Sequence, residues 1–176
     1  MKNINRRVIL RRRNRLSATE IKEKSDKIKQ ILFNSKEYRQ ANIVMFYVSF
    51  GSEVDTWDMI KESLEEKKVC VPCVIKDRLV ASKIASPGEL SKKNVYGICE
   101  PEKIKEVSKD VIGLVIVPGV VFDKHNHRIG YGKGYYDDFL KEFSGKKIGL
   151  AFELQVLEDI PRDDWDIRLD KVISEG

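Results

Sequence analysis

The residues with the densest chemistry lie between Val111 and Phe143, VIGLVIVPGVVFDKHNHRIGYGKGYYDDFLKEF. Gly130, Gly132 and Gly134 alternate with Tyr131 and Lys133, and Arg128 stands just before them. Tyr136, Phe139, Leu140 and Phe143 then recur at helical spacing, with Asp137 and Asp138 in the first turn. A glycine-rich loop feeding a helix start collects unpaired backbone N–H groups and a lysine at one point. That arrangement suits a phosphate. Arg128 and Lys133 could neutralise a polyphosphate, and Asp123 and Asp137 are carboxylates of the kind Mg²⁺ uses alongside phosphate oxygens. The spacing is not G-x-x-x-x-G-K-[ST], because Gly134 follows Lys133, and it is not G-x-G-x-x-G. The glycines by themselves are equally compatible with a tight turn between packed elements.

The elements that must position this loop are legible as periodic runs. Val111–Val117 is short, apolar and β-branched, which predicts a buried strand stopped by Pro118-Gly119. Further strands are expected near 43–50, 69–75 and 147–152, with Leu79–Ile84 as a hairpin partner. Residues 3–15 predict a basic helix with an apolar stripe of Ile4, Val8, Ile9 and Leu16. Ser17-Ala18-Thr19-Glu20 is a capping box that opens a second helix, buried through Ile21, Ile28, Ile31 and Leu32. After a polar turn, Trp57, Ile60 and Leu64 face inward from a third helix, and Asp55 reads as its cap residue. Together these predict a three-layer α/β/α single domain over 1–176 with a mostly parallel central sheet. The glycine-rich phosphate loop should lie at the carboxyl end of the strand that finishes near Val117.

Composition narrows the function classes. Of 176 residues, 41% are hydrophobic and 35% charged, which fits a globular protein, and no apolar run has membrane-spanning length. The N-terminus has no apolar core of the kind a secretory signal needs. Three cysteines, an odd count, form no disulfide framework, so a reducing cytoplasm is the expected setting. Cys70-x-x-Cys73 falls in a strand-like run and not at a helix start, so both are expected to be structural thiols. His125 and His127 lack a third metal ligand and read as polar loop residues. The net charge of +5 is concentrated in Lys2, Arg6, Arg7, Arg11, Arg12, Arg13 and Arg15, ahead of any acidic residue. Such an arm could hold nucleic acid or a small anion. The absence of a reading-helix motif or an aromatic single-strand platform argues against nucleic acid.

VPGVVFDKHNHRIGYGKGYYDDFL resembles the signature of the 5-formyltetrahydrofolate cyclo-ligase family, also called methenyltetrahydrofolate synthetases. The likeness extends to the strand–turn block through Glu53 and Thr56, to Gly97-Ile98-Cys99-Glu100-Pro101, and to Ile148-Gly149-Leu150-Ala151-Phe152. It continues in the tail around Pro161 and Asp170, where Trp165 replaces a histidine of the family pattern. The resemblance implies ATP- and Mg²⁺-dependent conversion of 5-formyltetrahydrofolate to 5,10-methenyltetrahydrofolate, ADP and phosphate. It implies nucleotide contacts from Lys2, Arg6, Arg128, Gly130, Tyr131, Gly132, Lys133, Gly134, Tyr135 and Tyr136. Substrate contacts would come from Arg6, Val48, Glu53, Tyr131, Gly132, Lys133, Gly134 and Tyr135. Lys133 and Arg128 would act in catalysis, and Asp137 and Asp170 would hold Mg²⁺. The Gly-Ile-x-Glu-Pro block would be mainly architectural. The expected state is a cytoplasmic monomer or weak homodimer acting on folates with or without a polyglutamate tail. Two competing readings are a non-catalytic nucleic-acid-binding module built on the basic arm and a different ATP-dependent kinase.

Overall fold

Period-2 alternation within the apolar runs sorts their side chains onto two faces of one sheet. The computed structural model describes residues 1–176. The helices are α1 (Lys2–Arg13), α2 (Ala18–Asn34), α3 (Lys36–Gln40), α4 (Trp57–Ser63) and α5 (Tyr135–Leu140). The strands are β1 (Ile43–Met45), β2 (Lys68–Ile75), β3 (Arg78–Ile84), β4 (Lys92–Lys93), β5 (Cys99–Glu100) and β6 (Glu106–Val107). They continue as β7 (Leu114–Val117), β8 (Val121–Asp123), β9 (Arg128–Ile129), β10 (Lys146–Leu150), β11 (Val156–Leu157) and β12 (Lys171–Ile173).

Seven strands form the main sheet in the order β12-β10-β7-β1-β2-β3-β6. Its first five members run parallel, and β3 and β6 are antiparallel at one side. The chain builds outward from β1 through β2, β3 and β6, then returns to the other flank of β1 with β7, β10 and β12. The order therefore reverses between β1 and β7. In open α/β sheets that reversal leaves a crevice outside the carboxyl ends of the strands.

Val44, Phe46, Val69, Val71, Leu114, Ile116 and Ile148 share one core with Ile28 and Leu32 of α2, Tyr38 of α3 and Ile60 of α4. Each fully buried aliphatic side chain there contributes roughly 1.5–3 kcal/mol. Met45, Cys70, Val115 and Val117 point to the other face, where Phe122, Leu140, Phe143 and Leu169 cover them. That second layer is thin, since α5 has only six residues. A small sheet of β11, β8 and β9 packs beside α1 through Ile9, Val121, Ile129 and Ile160. The capping box forms as expected, with Ser17 accepting from Glu20 N–H and Glu20 accepting from Ser17 N–H. No helix is long and apolar enough to cross a membrane.

Several expectations change in detail. The run 43–50 pairs as a strand only to Met45. Phe46 N–H donates to Cys70 O at 2.9 Å, and the next bond of a parallel ladder would come from the N–H of residue 72. That residue is a proline, so the ladder stops. Side chains then stitch the freed segment: Thr56 Oγ1 donates to Tyr47 O at 2.6 Å, and Trp57 Nε1 donates to Ser49 O at 3.1 Å. The strand expected from Val111 starts at Leu114, because residues 109–111 form a 3₁₀ turn with Val111 exposed. Ile4 and Val8 of α1 are solvent-exposed, as is Ile31 of α2, so only part of the expected α1 stripe is buried. Ile9 of that stripe and several polar side chains hold the helix. Cys70 and Cys73 are buried free thiols pushed up by burial to about 11 and about 12, which keeps them protonated and unreactive near neutrality.

Candidate active site

A cavity of about 620 Å³ opens above the carboxyl ends of β1, β2 and β7. Val48 and Glu53 come from the segment after β1, Pro72 and Val74 from β2, and Pro118 from the end of β7. The glycine loop after β9 forms the facing wall. Gly132 and Gly134 have φ of +98° and +75°, values that residues with a Cβ rarely adopt. The N–H groups of Gly130 through Gly134 donate to no backbone carbonyl, and α5 starts without a side-chain cap. The loop thus presents open donors to the cavity, as an anion site requires.

Cations surround those donors. Arg6 Nε donates to Gly130 O at 2.8 Å, which lays its guanidinium along the loop. Arg128 is buried and donates through Nη2 to Asp137 Oδ1 at 3.1 Å. Burial lowers its pKa and Asp137 opposes that shift. Lys133 is exposed, with Nζ 5.8 Å from the centre of the Tyr96 ring. Lys2 Nζ binds Asp163 Oδ2 at 2.6 Å and also Asp166 Oδ2. Burial works against its charge, but the two carboxylates prevail and raise its pKa. Two buried polar atoms have no protein partner, Arg128 Nε and the Tyr136 hydroxyl, and both residues line this cavity. Burial holds the Tyr136 phenol well above its usual range, so it is a neutral donor. Unsatisfied buried donors in residues that line a cavity call for an acceptor from water or a bound anion.

The loop also meets a buried carboxylate, Glu53, which is 6% exposed. Its Oε1 accepts from the Tyr131 hydroxyl at 2.7 Å and its Oε2 from Phe50 N–H at 3.1 Å. Arg13, buried on α1, donates through Nη2 to the same Tyr131 hydroxyl at 2.9 Å and through Nε to Ser52 Oγ at 3.0 Å. Burial raises the Glu53 pKa, while Tyr131, the Phe50 N–H and Arg13 pull it back.

Of the residues given a nucleotide, substrate, catalytic or metal role from sequence, all but Asp123 and Asp170 line the cavity. Asp170 does not join Asp137: its Oδ2 accepts from Lys147 N–H at 2.8 Å, with Lys147 Nζ at 3.4 Å. It behaves as the turn residue before β12. Asp123 is fully buried and accepts from the N–H groups of His125, His127 and Ile160, so it shapes the loop and is closed to a metal. His127 Nδ1 lies 3.2 Å from Asp123 Oδ2, a structural contact. Asp55 caps α4 by accepting from Trp57 N–H at 2.9 Å. In the Gly-Ile-x-Glu-Pro block Ile98 and Glu100 line the cavity, and Glu100 Oε1 accepts from Val74 N–H at 3.3 Å and Asn94 Nδ2 at 2.9 Å, an architectural role. Arg13 was not singled out from its neighbours by the sequence. A signal for it exists: Lys2, Arg6, Ile9 and Arg13 recur at helical spacing and share one face of α1.

A doubly wound sheet with an open-donor loop, converging cations and a buried carboxylate at its switch point defines an α/β anion-binding enzyme scaffold. Comparison with known proteins gives that class a family. A family model described as the 5-formyltetrahydrofolate cyclo-ligase family matches residues 1–175. A probable 5-formyltetrahydrofolate cyclo-ligase of Caenorhabditis elegans is 33% identical, over 92% of this chain and 86% of the relative. The 5-formyltetrahydrofolate cyclo-ligase of Haemophilus influenzae is 30% identical, over 88% of this chain and 87% of the relative. The NMR structure of Aquifex aeolicus 5,10-methenyltetrahydrofolate synthetase superposes with a TM-score of 0.90 at 35% identity, covering 99% of this chain and 89% of that one. The chain belongs to the 5-formyltetrahydrofolate cyclo-ligase family.

The buried carboxylate yields a stability prediction. A folded-state pKa raised above the unfolded value means ionisation of Glu53 opposes folding. Its favourable contribution is complete below the unfolded carboxylate range and is lost as pH rises through the raised value. Glu53→Gln, which cannot ionise, should therefore unfold at a higher temperature than wild type at pH 8, with the gain shrinking toward pH 4. Thermal unfolding at the two pH values checks this, and a variant less stable at pH 8 contradicts the assignment.

Proposed function

We propose that the chain converts 5-formyltetrahydrofolate and ATP to 5,10-methenyltetrahydrofolate, ADP and phosphate in this cavity. The observation that carries the reading is the pair of unpartnered buried donors, Arg128 Nε and the Tyr136 hydroxyl, beside a loop of open N–H groups in a chain of this family. A triphosphate supplies the acceptors all of them lack. The carboxylate of Glu53, joined to the loop through Tyr131, matches paired N–H donors such as those of a pterin.

The chemistry asks for positioning more than for a nucleophilic side chain. A formamide oxygen is a poor leaving group. Its attack on the γ-phosphorus forms an O–P bond and breaks the bond to ADP. N10 then attacks the activated formyl carbon, the C–O bond breaks, and phosphate departs with the former formyl oxygen while N10 loses its proton. The protein's part is in-line placement and neutralisation of charge on the transferred group. Backbone N–H groups of Gly130 to Gly134 hold phosphate oxygens, and Lys133 and Arg128 stabilise charge in the transition state. Arg6 adds a further cation, Lys2 fixes the Asp163–Asp166 turn through its two ion pairs, and Val48, Tyr131 and Tyr135 bound the substrate.

Mg²⁺ supplies further neutralisation of the phosphates when it is bound with the nucleotide. It needs only one or two carboxylates besides phosphate oxygens. Asp137 fits: it lines the cavity and its Oδ1 is engaged by Arg128 and the Ile167 N–H, leaving Oδ2 for the ion. Asp170 does not, for the reason given above. A reducing cytoplasm suits the three free thiols.

Purified protein mixed with 5-formyltetrahydrofolate, ATP and Mg²⁺ should show methenyltetrahydrofolate absorbance that grows only with ATP present. A folded, nucleotide-binding protein that yields no such signal would rule out the folate substrate. Lys133→Ala should cut turnover about 10²–10³-fold at an unchanged unfolding temperature, and near-normal turnover would remove Lys133 from the mechanism. Asp137→Asn should shift the Mg²⁺ titration of activity to higher concentration. An unchanged titration would mean that the ion is held by phosphate and water without this carboxylate.

A further inference from the structure

Trp165 lines the cavity and yet is 73% exposed. No ring of the protein stacks on it. A tryptophan left in water forgoes the burial that a large ring normally gains. The turn that carries it is tightly built. Asp166 N–H donates to Asp163 O at 3.1 Å, and Asp163 N–H donates back to Asp166 Oδ2 at 2.7 Å. Lys2 Nζ then bridges both carboxylates. Beyond the turn, Ile167 N–H donates to Asp137 Oδ1 at 3.2 Å, the oxygen that Arg128 Nη2 also holds. The indole is therefore presented on a fixed turn, tied on both sides to residues that line the cavity.

A flat ring carried on a fixed turn at the edge of a phosphate site suits a planar heterocycle attached to that phosphate. We infer that Trp165 is the platform on which the base of the bound nucleotide stacks. The inference rests on the reading of this cavity as an ATP site. The folate ring is the less suitable occupant, because its N–H donors are matched by Glu53, on the segment after β1, and no bond ties that carboxylate to the Trp165 turn. Stacking on Trp165 makes it a specificity residue for a purine nucleotide over free polyphosphate.

Tryptophan fluorescence and equilibrium dialysis test this with the intact chain. The only other tryptophan, Trp57, donates its indole N–H to Ser49 O and lies outside the cavity, so wild type minus Trp165→Phe isolates the Trp165 signal. ATP should quench wild type saturably, and the quench should be missing with inorganic tripolyphosphate and missing in Trp165→Phe. Trp165→Ala should bind ATP about tenfold more weakly, with Trp165→Phe within about threefold of wild type. Tripolyphosphate should bind all three alike. The inference is overturned by wild-type ATP affinity in Trp165→Ala, or by a parallel loss of tripolyphosphate binding. A quench by 5-formyltetrahydrofolate in place of ATP overturns it as well. ATP bound with Trp165 silent sinks this inference alone, whereas no ATP binding by wild type removes the nucleotide reading with it.

Discussion

A single buried carboxylate ties the site together. Glu53 follows β1, Tyr131 belongs to the glycine loop and Arg13 lies on α1, and one chain of hydrogen bonds joins all three. Leaving Glu53 uncompensated in a dry setting would be costly, so its partners are constrained to stay where they are. That constraint matters most for the glycine loop. Its backbone N–H groups make no bonds of their own, and nothing in their local geometry would hold the loop in one place. The Tyr131 hydroxyl pins it from one side and Arg6, through Gly130 O, from the other. Open donors can then persist because side chains fix the loop that carries them.

The same arrangement explains the basic N-terminal helix. Lys2 grips the turn at Asp163, Arg6 lines the loop, and Arg13 charges the Tyr131 bridge. Three cations of the arm are thus drawn into the site, while Arg7, Arg11, Arg12 and Arg15 stay exposed outside the cavity. The site lies at the switch point between β1 and β7, with the apolar side chains of β2 and the carboxylate of Glu53. One cavity therefore offers charged groups from the loop and α1 and apolar groups from the sheet. Such asymmetry can orient two different ligands toward each other, and orientation is where most of the rate in this chemistry would arise.

What was legible in the sequence was local. The Ser17–Glu20 box and the hairpin of Val69–Ile84 each carry their instruction within a few residues, and each forms as read. The end of β1 was not legible from its own residues, because Pro72 on a neighbouring strand decides where pairing stops. Arg13 could not be told from Arg11 or Arg12 by type, only by its phase with Ile9, and the exposed Ile4 and Val8 suggested the wrong face. Asp170 fails for a related reason. A carboxylate at a plausible distance along the chain does not reveal that Lys147, from the adjacent strand, claims it.

In the proposed reaction the cavity brings the γ-phosphorus of ATP to the formyl oxygen of the folate. The direct measurement uses 5-formyltetrahydrofolate labelled with ¹⁸O in the formyl group, followed by mass analysis of the phosphate released. Transfer of the label into phosphate, in step with methenyl product, is the predicted result. Unlabelled phosphate with the same product would contradict it, since the nucleotide would then have been cleaved by water and the ring closed by another route.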